Sequence, residues 1–126
     1  DTTGETAIFK GVLPRHYAAG GITVYVHASL TSAVTGTLGW LIAFERVSDS
    51  IQDIDADGFA ADATITAATV PGTSGHVAIL NVAMADGAAI DSIAVGEGFR
   101  LRVTRNVAGD SAAGDAELWA VELKET

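Results

Sequence analysis

The sequence contains no cysteine, which excludes disulfide bonds, thiolate nucleophiles and zinc sites built from cysteine. It contains no apolar run near the roughly 20 residues that a membrane-spanning helix requires. Positive charge is also scarce, because 7 Lys and Arg stand against 16 Asp and Glu and give a formal net charge of −9. Such a surface repels phosphate backbones and anionic lipid, so we expect neither nucleic acid nor a membrane as partner.

The composition that is present indicates one folded domain. A chain of 126 residues is long enough to bury one core and too short for two. Its 48% hydrophobic content against 18% charged residues is typical of a globular protein, and its 14 glycines against 2 prolines indicate short elements joined by tight turns. We therefore predict a single domain over residues 1–126. The start at Asp1 in place of Met leaves open whether residues precede it in a longer protein.

Alternation of apolar and polar residues dominates the longer segments. It is clearest in "GITVYVHASL" (21–30), "GTLGWLIAFERV" (36–47) and "GFRLRVTRN" (98–106), and it is present with a less certain register in "AELWAVELKE" (116–125). Period two is the pattern of half-buried strands. The second of these segments is apolar on both faces, so we expect a central strand that is covered on both sides.

Shorter β-rich segments complete the predicted sheet. They are "TAIFKGV" (6–12), "ATITAATV" (63–70) and "HVAILNVAM" (76–84), and glycine-rich or acidic turns separate them. Helix is predicted only as a single turn within residues 88–93. The sequence predicts an all-β fold, a single antiparallel β-sandwich that is jelly-roll-like with seven or eight strands. Jelly-roll and immunoglobulin-like strand orders both stay open.

One acidic stretch, "SIQDIDADGFAAD" (50–62), resembles the opening of a calcium loop. Asp53, Asp55 and Asp57 are spaced by two and Gly58 follows, as in an EF-hand, whose twelfth position is a Glu. Here that position is Thr64, and the flanking segments read as strands rather than helices. Sheet proteins also bind calcium through acidic loops whose last ligand comes from elsewhere, and Asp62 or Asp49 could supply it. The candidate calcium ligands are Asp53, Asp55, Asp57 and Asp62, and the alternative is a solvated surface loop without a metal. We predict no cofactor, with calcium at this loop as the alternative.

Two arginines on one predicted strand form the other candidate site. Arg100 and Arg102 project from the same face and make a small positive stripe in an acidic protein. One interpretation is a solvated outer face whose arginines pair with nearby acids and add little stability. The other is an interface, in which this stripe of one copy meets the acidic loops of another.

The residue patterns do not support an enzymatic activity. The G-x-S-x-G pentapeptide of a nucleophile elbow does not occur, and His16, His27 and His76 lie in three separate segments without an H-E-x-x-H spacing. Aromatic residues are only 6% of the chain, whereas sugar-binding clefts are lined with aromatic rings. We predict that Trp40 lies in the core, that Trp119 could be exposed, and that the protein is not an enzyme.

Two stretches, residues 9–47 and 91–126, resemble a β-sandwich module of structural proteins of tailed bacteriophages. The resemblance is carried by "LPRHYAAGG" and "TGTLGW" in the first stretch and by "GEGFRLRVTR" and "DSAAGDA" in the second. It implies a sandwich or jelly-roll fold and a role at the virion surface as a capsid decoration protein, head fibre or tail appendage. The implied partners are other virion proteins and copies of the chain itself in a homo-oligomer, with a trimer favoured. It brings no catalytic residues.

The alternative function is an extracellular binding module. In that case the acidic loop would bind calcium and an exposed face would bind carbohydrate. The two hypotheses differ in metal dependence, because a ligand that binds only the folded state must stabilise it.

Overall fold

The computed structural model describes residues 4–126, and these form an all-β sandwich of seven strands and one 3₁₀ turn. The strands are β1 (Thr6–Val12), β2 (Ile22–Leu30), β3 (Thr37–Val47), β4 (Ala63–Thr69), β5 (Ala78–Met84), β6 (Gly98–Arg105) and β7 (Ala116–Glu125). The 3₁₀ turn, Ala88–Ile90, lies where the helical turn is predicted. No helix in this part of the chain is long and apolar enough to cross a membrane.

The strands divide into two antiparallel sheets. The four-stranded sheet has the order β1-β6-β3-β4 and the three-stranded sheet has the order β5-β2-β7. Within residues 4–126 only β3 and β4 are both consecutive in sequence and paired, and every other connection between strands crosses to the opposite sheet. The prediction of an antiparallel sandwich is confirmed, with one strand fewer than the eight of a full jelly roll.

The core lies between the sheets and is built by the alternation seen in the sequence. On β6 the buried residues Phe99, Leu101 and Val103 alternate with Arg100, Arg102 and Thr104, which are half-buried. The ring of Phe99 packs edge-on against Phe44 of β3 at a centroid distance of 5.4 Å. Burial of one such side chain is worth about 1.5–3 kcal/mol.

β3 is buried on both faces, as its sequence predicts. Trp40, Ile42 and Phe44 face the core, while Ala43 and Glu45 on the outer face are also buried. The cover over the outer face comes from the connection between β3 and β4, residues 48–62. The amide of Ala60 in this connection donates to the Phe44 carbonyl at 2.8 Å, so that the connection runs along β3 before β4 begins.

The sandwich is closed on one side and open on the other. On the closed side β4 packs against β5, whereas the edge strands β1 and β7 have no comparable packing against each other within residues 4–126. Phe9 of β1 and Leu123 of β7 are each 38% exposed in consequence. We call the gap between β1 and β7 the open side, and two cavities of about 660 and about 300 Å³ lie along it.

Gly11 on β1 lies close to the buried ring of Phe99, so a substitution of this glycine tests the packing of the core. A methyl group at this position would lie 2.5 Å from Cζ of the buried Phe99 ring. We expect Gly11→Ala to lower the free energy of unfolding by about 1–3 kcal/mol, because the ring must leave its place against Phe44. Urea unfolding measures this, with Gly72→Ala as the control, since a methyl group at Gly72 meets nothing within 4 Å. Equal unfolding midpoints for the two variants would contradict the packing described.

Candidate functional site

A buried ion pair lies at the centre of the outer face of the four-stranded sheet. Glu45 of β3 stands opposite Arg100 of β6, and its side chain has 0% exposure. Arg100 Nε donates to Glu45 Oε2 at 2.5 Å, and Arg100 Nη2 donates to Glu45 Oε1 in a second short bond. This bidentate geometry is the strongest that an arginine and a carboxylate can adopt.

The pair is asymmetric in its exposure. The Arg100 side chain is 29% exposed to solvent, whereas the Glu45 side chain is fully buried. Both hydrogen bonds of the Glu45 carboxylate come from Arg100. The hydrogen bonds to Glu45 raise the pKa of Arg100 above its ordinary value. Removal of one partner from such a pair is costly because it leaves the other charge buried and unpaired.

Phe59 contacts both Arg100 and Arg102, the two arginines of the predicted interface. Its ring lies 4.6 Å from Cζ of Arg102 and 5.6 Å from Cζ of Arg100, within the range of cation–π contacts. Arg102 also donates to Asp62 Oδ1 at 2.9 Å, and Arg100 Nη2 reaches the Ile54 carbonyl at 3.4 Å. With the bond from Ala60 to Phe44, the connection 48–62 is therefore fastened to the sheet at four of its residues.

The structure places Arg100 and Arg102 on one face, as predicted, and gives each an acidic partner within the chain. This arrangement agrees with the first interpretation, an outer face whose arginines pair with nearby acids. A role for either arginine in an interface stays a prediction. The partner Glu45 was not identified from sequence, although its position opposite Arg100 follows from strand pairing.

The four calcium candidates are not brought together. Asp53 Oδ1 accepts the amide of Asp55 at 3.0 Å, and the Asp53 carbonyl accepts the amide of Asp57 at 2.7 Å. Asp57 Oδ1 accepts the amide of Gly58 at 2.9 Å, and Asp62 is paired with Arg102. Within residues 4–126 no group of three or more histidine and acidic side chains converges as a metal site would. The spaced aspartates form a turn here, and calcium binding stays a prediction.

Two further arginine pairs were not predicted. Arg46 makes a bidentate pair with Glu97 at 2.6 and 2.7 Å, and these bonds, with the amide of Ala94, hold the pKa of Glu97 below its ordinary value. Arg105 is buried at 3% exposure and donates to Asp110 at 2.9 Å. Period two places Arg105 on the inner face of β6 with Phe99, so its burial could have been found from the alternation.

The outer face of the three-stranded sheet carries the exposed tryptophan. Trp119 is 63% exposed, as its position allowed, and its Nε1 donates to Ser29 Oγ at 2.8 Å. Ser29 donates in turn to Glu117. A β-bulge opposite His27 and Ala28 shifts the register of β7 beside Trp119.

The three histidines do not cluster. His27 of β2 lies 3.9 Å from Glu122, whereas His16 and His76 are exposed on two separate loops.

Trp40 is buried as predicted, and its Nε1 has no hydrogen-bond partner within the described residues. The ring lines the larger cavity of the open side together with Leu118 and Val103. An unsatisfied buried donor costs about 1–3 kcal/mol. The open side therefore exposes apolar surface and sits beside a polar atom that lacks a partner.

Comparison with protein-family models, with characterised proteins and with solved structures finds no match to this chain.

The two arginines of β6 provide a matched test of the buried pair. We expect Arg100→Ala to lower the free energy of unfolding by about 3–5 kcal/mol, because it strands the buried Glu45 carboxylate. In Arg102→Ala the loss of the ion pair should lower the free energy of unfolding by only about 0–1 kcal/mol, because the partner Asp62 is exposed to water. The loss of the contact with Phe59 adds to this. Urea unfolding of both variants measures the difference. The interpretation is wrong if the two variants are equally stable.

Proposed function

We propose that this chain is a non-enzymatic structural module of a tailed-phage virion. In this role it acts at the virion surface as a capsid decoration protein, head fibre or tail appendage, through contacts with copies of itself and with other virion proteins. A homo-oligomer, with a trimer favoured, is the assembly that we expect.

The observation that carries the proposal is the open side. The inner faces of β1 and β7 belong to the core by position, yet Phe9 and Leu123 on these faces are each 38% exposed. Contiguous exposed apolar surface in a folded protein typically marks a protein contact. A neighbouring subunit that covered β1 and β7 would complete the burial that the rest of the sandwich already has.

The residues that carry the phage resemblance support the proposal as elements of architecture. In "LPRHYAAGG" the Tyr17 hydroxyl accepts the amide of Gly21 at 2.9 Å and donates to Asp86 at 2.8 Å, which closes the turn between β1 and β2. Burial, followed by the bond to Asp86, raises the pKa of Tyr17. Gly21 has a φ of 89°, a conformation that favours glycine. The motif thus describes how the two sheets are joined.

The mass in solution tests the proposal. We expect sedimentation equilibrium to give a multimer of the 12.8 kDa chain, with three copies as the expected number, because β1 and β7 leave apolar surface uncovered. Mass spectrometry of particles from the culture that produces the chain should find it among the structural proteins. A chain that stays monomeric at every concentration and is missing from the particles would overturn the proposal.

The second candidate is the extracellular binding module, and Trp119 is the observation that favours it. An exposed indole whose Nε1 is fixed by Ser29 is a surface on which a sugar ring could stack. The calcium part of this function would use Asp53, Asp55, Asp57 and Asp62.

Metal dependence separates the two candidates. We expect the melting temperature to be unchanged by a chelator and by millimolar calcium, because Asp53 and Asp57 fold the turn and Asp62 is paired with Arg102. Differential scanning calorimetry measures this, with magnesium as the control ion. A melting temperature that rises with calcium and not with magnesium would favour the binding module, since a ligand of the native state stabilises it.

A further inference from the structure

We infer that copies of this chain close the open side by strand pairing. In this contact β1 of one copy pairs in parallel with β7 of a neighbouring copy, and Lys10 lies opposite Glu122 of that neighbour. The inference rests on the proposed self-assembly and names the contact that produces it.

β1 and β7 each have one unpaired edge along the open side. Within residues 4–126, β1 pairs only with β6 and β7 pairs only with β2. The backbone N–H and C=O groups along such an edge can accept a further strand. Apolar side chains accompany them, because Ile8 is 51% exposed and Phe9 and Leu123 are each 38% exposed. An added strand would bond these backbone groups and cover this apolar surface.

Hydrogen bonds at the two ends of β1 show which of its residues direct their backbone groups to the open edge. The amide of Arg105 donates to the Glu5 carbonyl at 3.0 Å, and the amide of Leu13 donates to the Glu97 carbonyl at 2.9 Å. Odd-numbered residues of β1 therefore bond to β6, and the residues between them point the other way. The even-numbered Lys10 thus turns its amide and carbonyl to the open edge, while its side chain lies on the outer face.

β7 has the reverse arrangement near its end. The amide of Thr126 donates to the Gly21 carbonyl at 3.0 Å, so the even-numbered residues here, Glu122 among them, bond to β2. The side chains of these residues lie on the outer face, because the odd-numbered Val121 and Leu123 lie opposite core residues of β2. The outward backbone groups of β7 thus belong to residues whose side chains face the core.

The two arrangements fit a parallel pair of strands. In an antiparallel pair, residues with outward backbone groups lie opposite each other, which would place Lys10 on the same face as Leu123. In a parallel pair, a residue with outward groups lies opposite a residue without them and bonds to the two neighbours of that residue. Parallel pairing therefore continues the outer face of one copy into the outer face of the next, and the core face likewise.

The direction and height of the two strands agree with this pairing. Ala7 and Leu118 line the larger cavity and Val12 and Leu123 line the smaller one, so β1 and β7 run in the same direction at the same heights. A rotation between copies about an axis along the strands preserves both. Each copy offers one β1 and one β7, so the contact is heterologous. Two copies face to face form it twice, and a ring of three forms it at each of its interfaces.

Charge selects the register that places Lys10 opposite Glu122. Lys10 is exposed and makes no ion pair within residues 4–126, and the Glu122 side chain is 61% exposed. A shift of two residues in one direction puts Lys10 opposite Lys124, and a shift in the other direction puts it opposite Ala120. Opposite charges in facing positions of neighbouring strands stabilise a sheet, whereas like charges destabilise it. The chain is therefore complementary to itself in one register.

Charge reversal tests the strength of the contact. We expect Lys10→Glu and Glu122→Lys each to weaken self-association about tenfold, because like charges then lie opposite each other. The variant with both changes restores opposite signs and should recover most of the wild-type association. Asp49→Lys is the control, because it makes the same charge change as Glu122→Lys on an exposed residue of the connection 48–62, and it should associate like the wild type. Sedimentation equilibrium measures every protein.

Cysteine cross-linking tests the register. The chain has no cysteine, so Lys10→Cys and Glu122→Cys are made in separate chains, mixed in equal amounts and oxidised. Facing residues of neighbouring strands lie about 5 Å apart at Cα, within the range of a disulfide. We expect a disulfide-linked species that contains one copy of each chain. Lys10→Cys mixed with Ile79→Cys is the control and should link far less, because Ile79 is exposed on β5, at the closed side.

Three outcomes would overturn the inference and leave self-assembly standing. The first is a multimer that both single reversals leave unchanged. The second is a combined variant that stays as weak as its parents while circular dichroism shows it folded. The third is cross-linking of Lys10→Cys to itself or to Ile79→Cys as strong as its cross-linking to Glu122→Cys. A monomeric wild type, including one whose open side takes a strand of a different protein, would overturn the inference and the self-assembly together.

Discussion

The buried carboxylate of Glu45 is the constraint on which the outer layer of this protein depends. A carboxylate without exposed surface is tolerated only when a charge and hydrogen bonds compensate it, and Arg100 supplies both. The pair joins β3 to β6 at the centre of the four-stranded sheet. It also fixes the guanidinium of Arg100 where Phe59 stacks and where the Ile54 carbonyl is in reach. One ion pair thus orients a sheet and the chain segment that covers it.

The acidic connection consequently acts as a third layer over part of the sandwich. Phe59, Asp62 and the Ile54 carbonyl contact the arginines of the outer face, and Ala60 pairs with the backbone of β3, while Ile51 and the remaining aspartates are exposed. The layer makes β3 the best-protected strand of its sheet, whereas nothing comparable covers the edges of β1 and β7. The contrast between these two sides is the physical basis for the proposed assembly. One side of the molecule completes its own burial and the other presents an incomplete core.

The sequence predicts the parts of the fold that local alternation controls. β2, β3 and β6 follow period two over their whole length, and the single helical turn is bounded by glycine and by Asp91 in the left-handed conformation. β7 is different, because its bulge places Leu118 and Val121 against the same core although they are three residues apart. A strict alternation cannot represent that shift, and this is why its register was uncertain.

The site was less accessible to prediction because its contacts are distant in the chain. Pairing of β3 with β6 brings Glu45 and Arg100 together across 55 residues, and no local pattern specifies that register. The burial of Glu45 further requires that residues 48–62 turn back over the sheet. The three spaced aspartates indicated a loop, and their calcium-like spacing gave no sign that Phe59 two residues later would anchor it.

Amide hydrogen exchange, resolved by residue, tests the central claim that the acidic connection is an ordered layer over β3. The amide of Ala60 is bonded to the Phe44 carbonyl, whereas the amides of Asp55 and Gly58 are bonded to exposed carboxylates. Ala60 should therefore exchange far more slowly than Asp55 and Gly58, and its protection should fall in Arg100→Ala. Exchange of Ala60 at the rate of its loop neighbours, unchanged by loss of Arg100, would contradict the account.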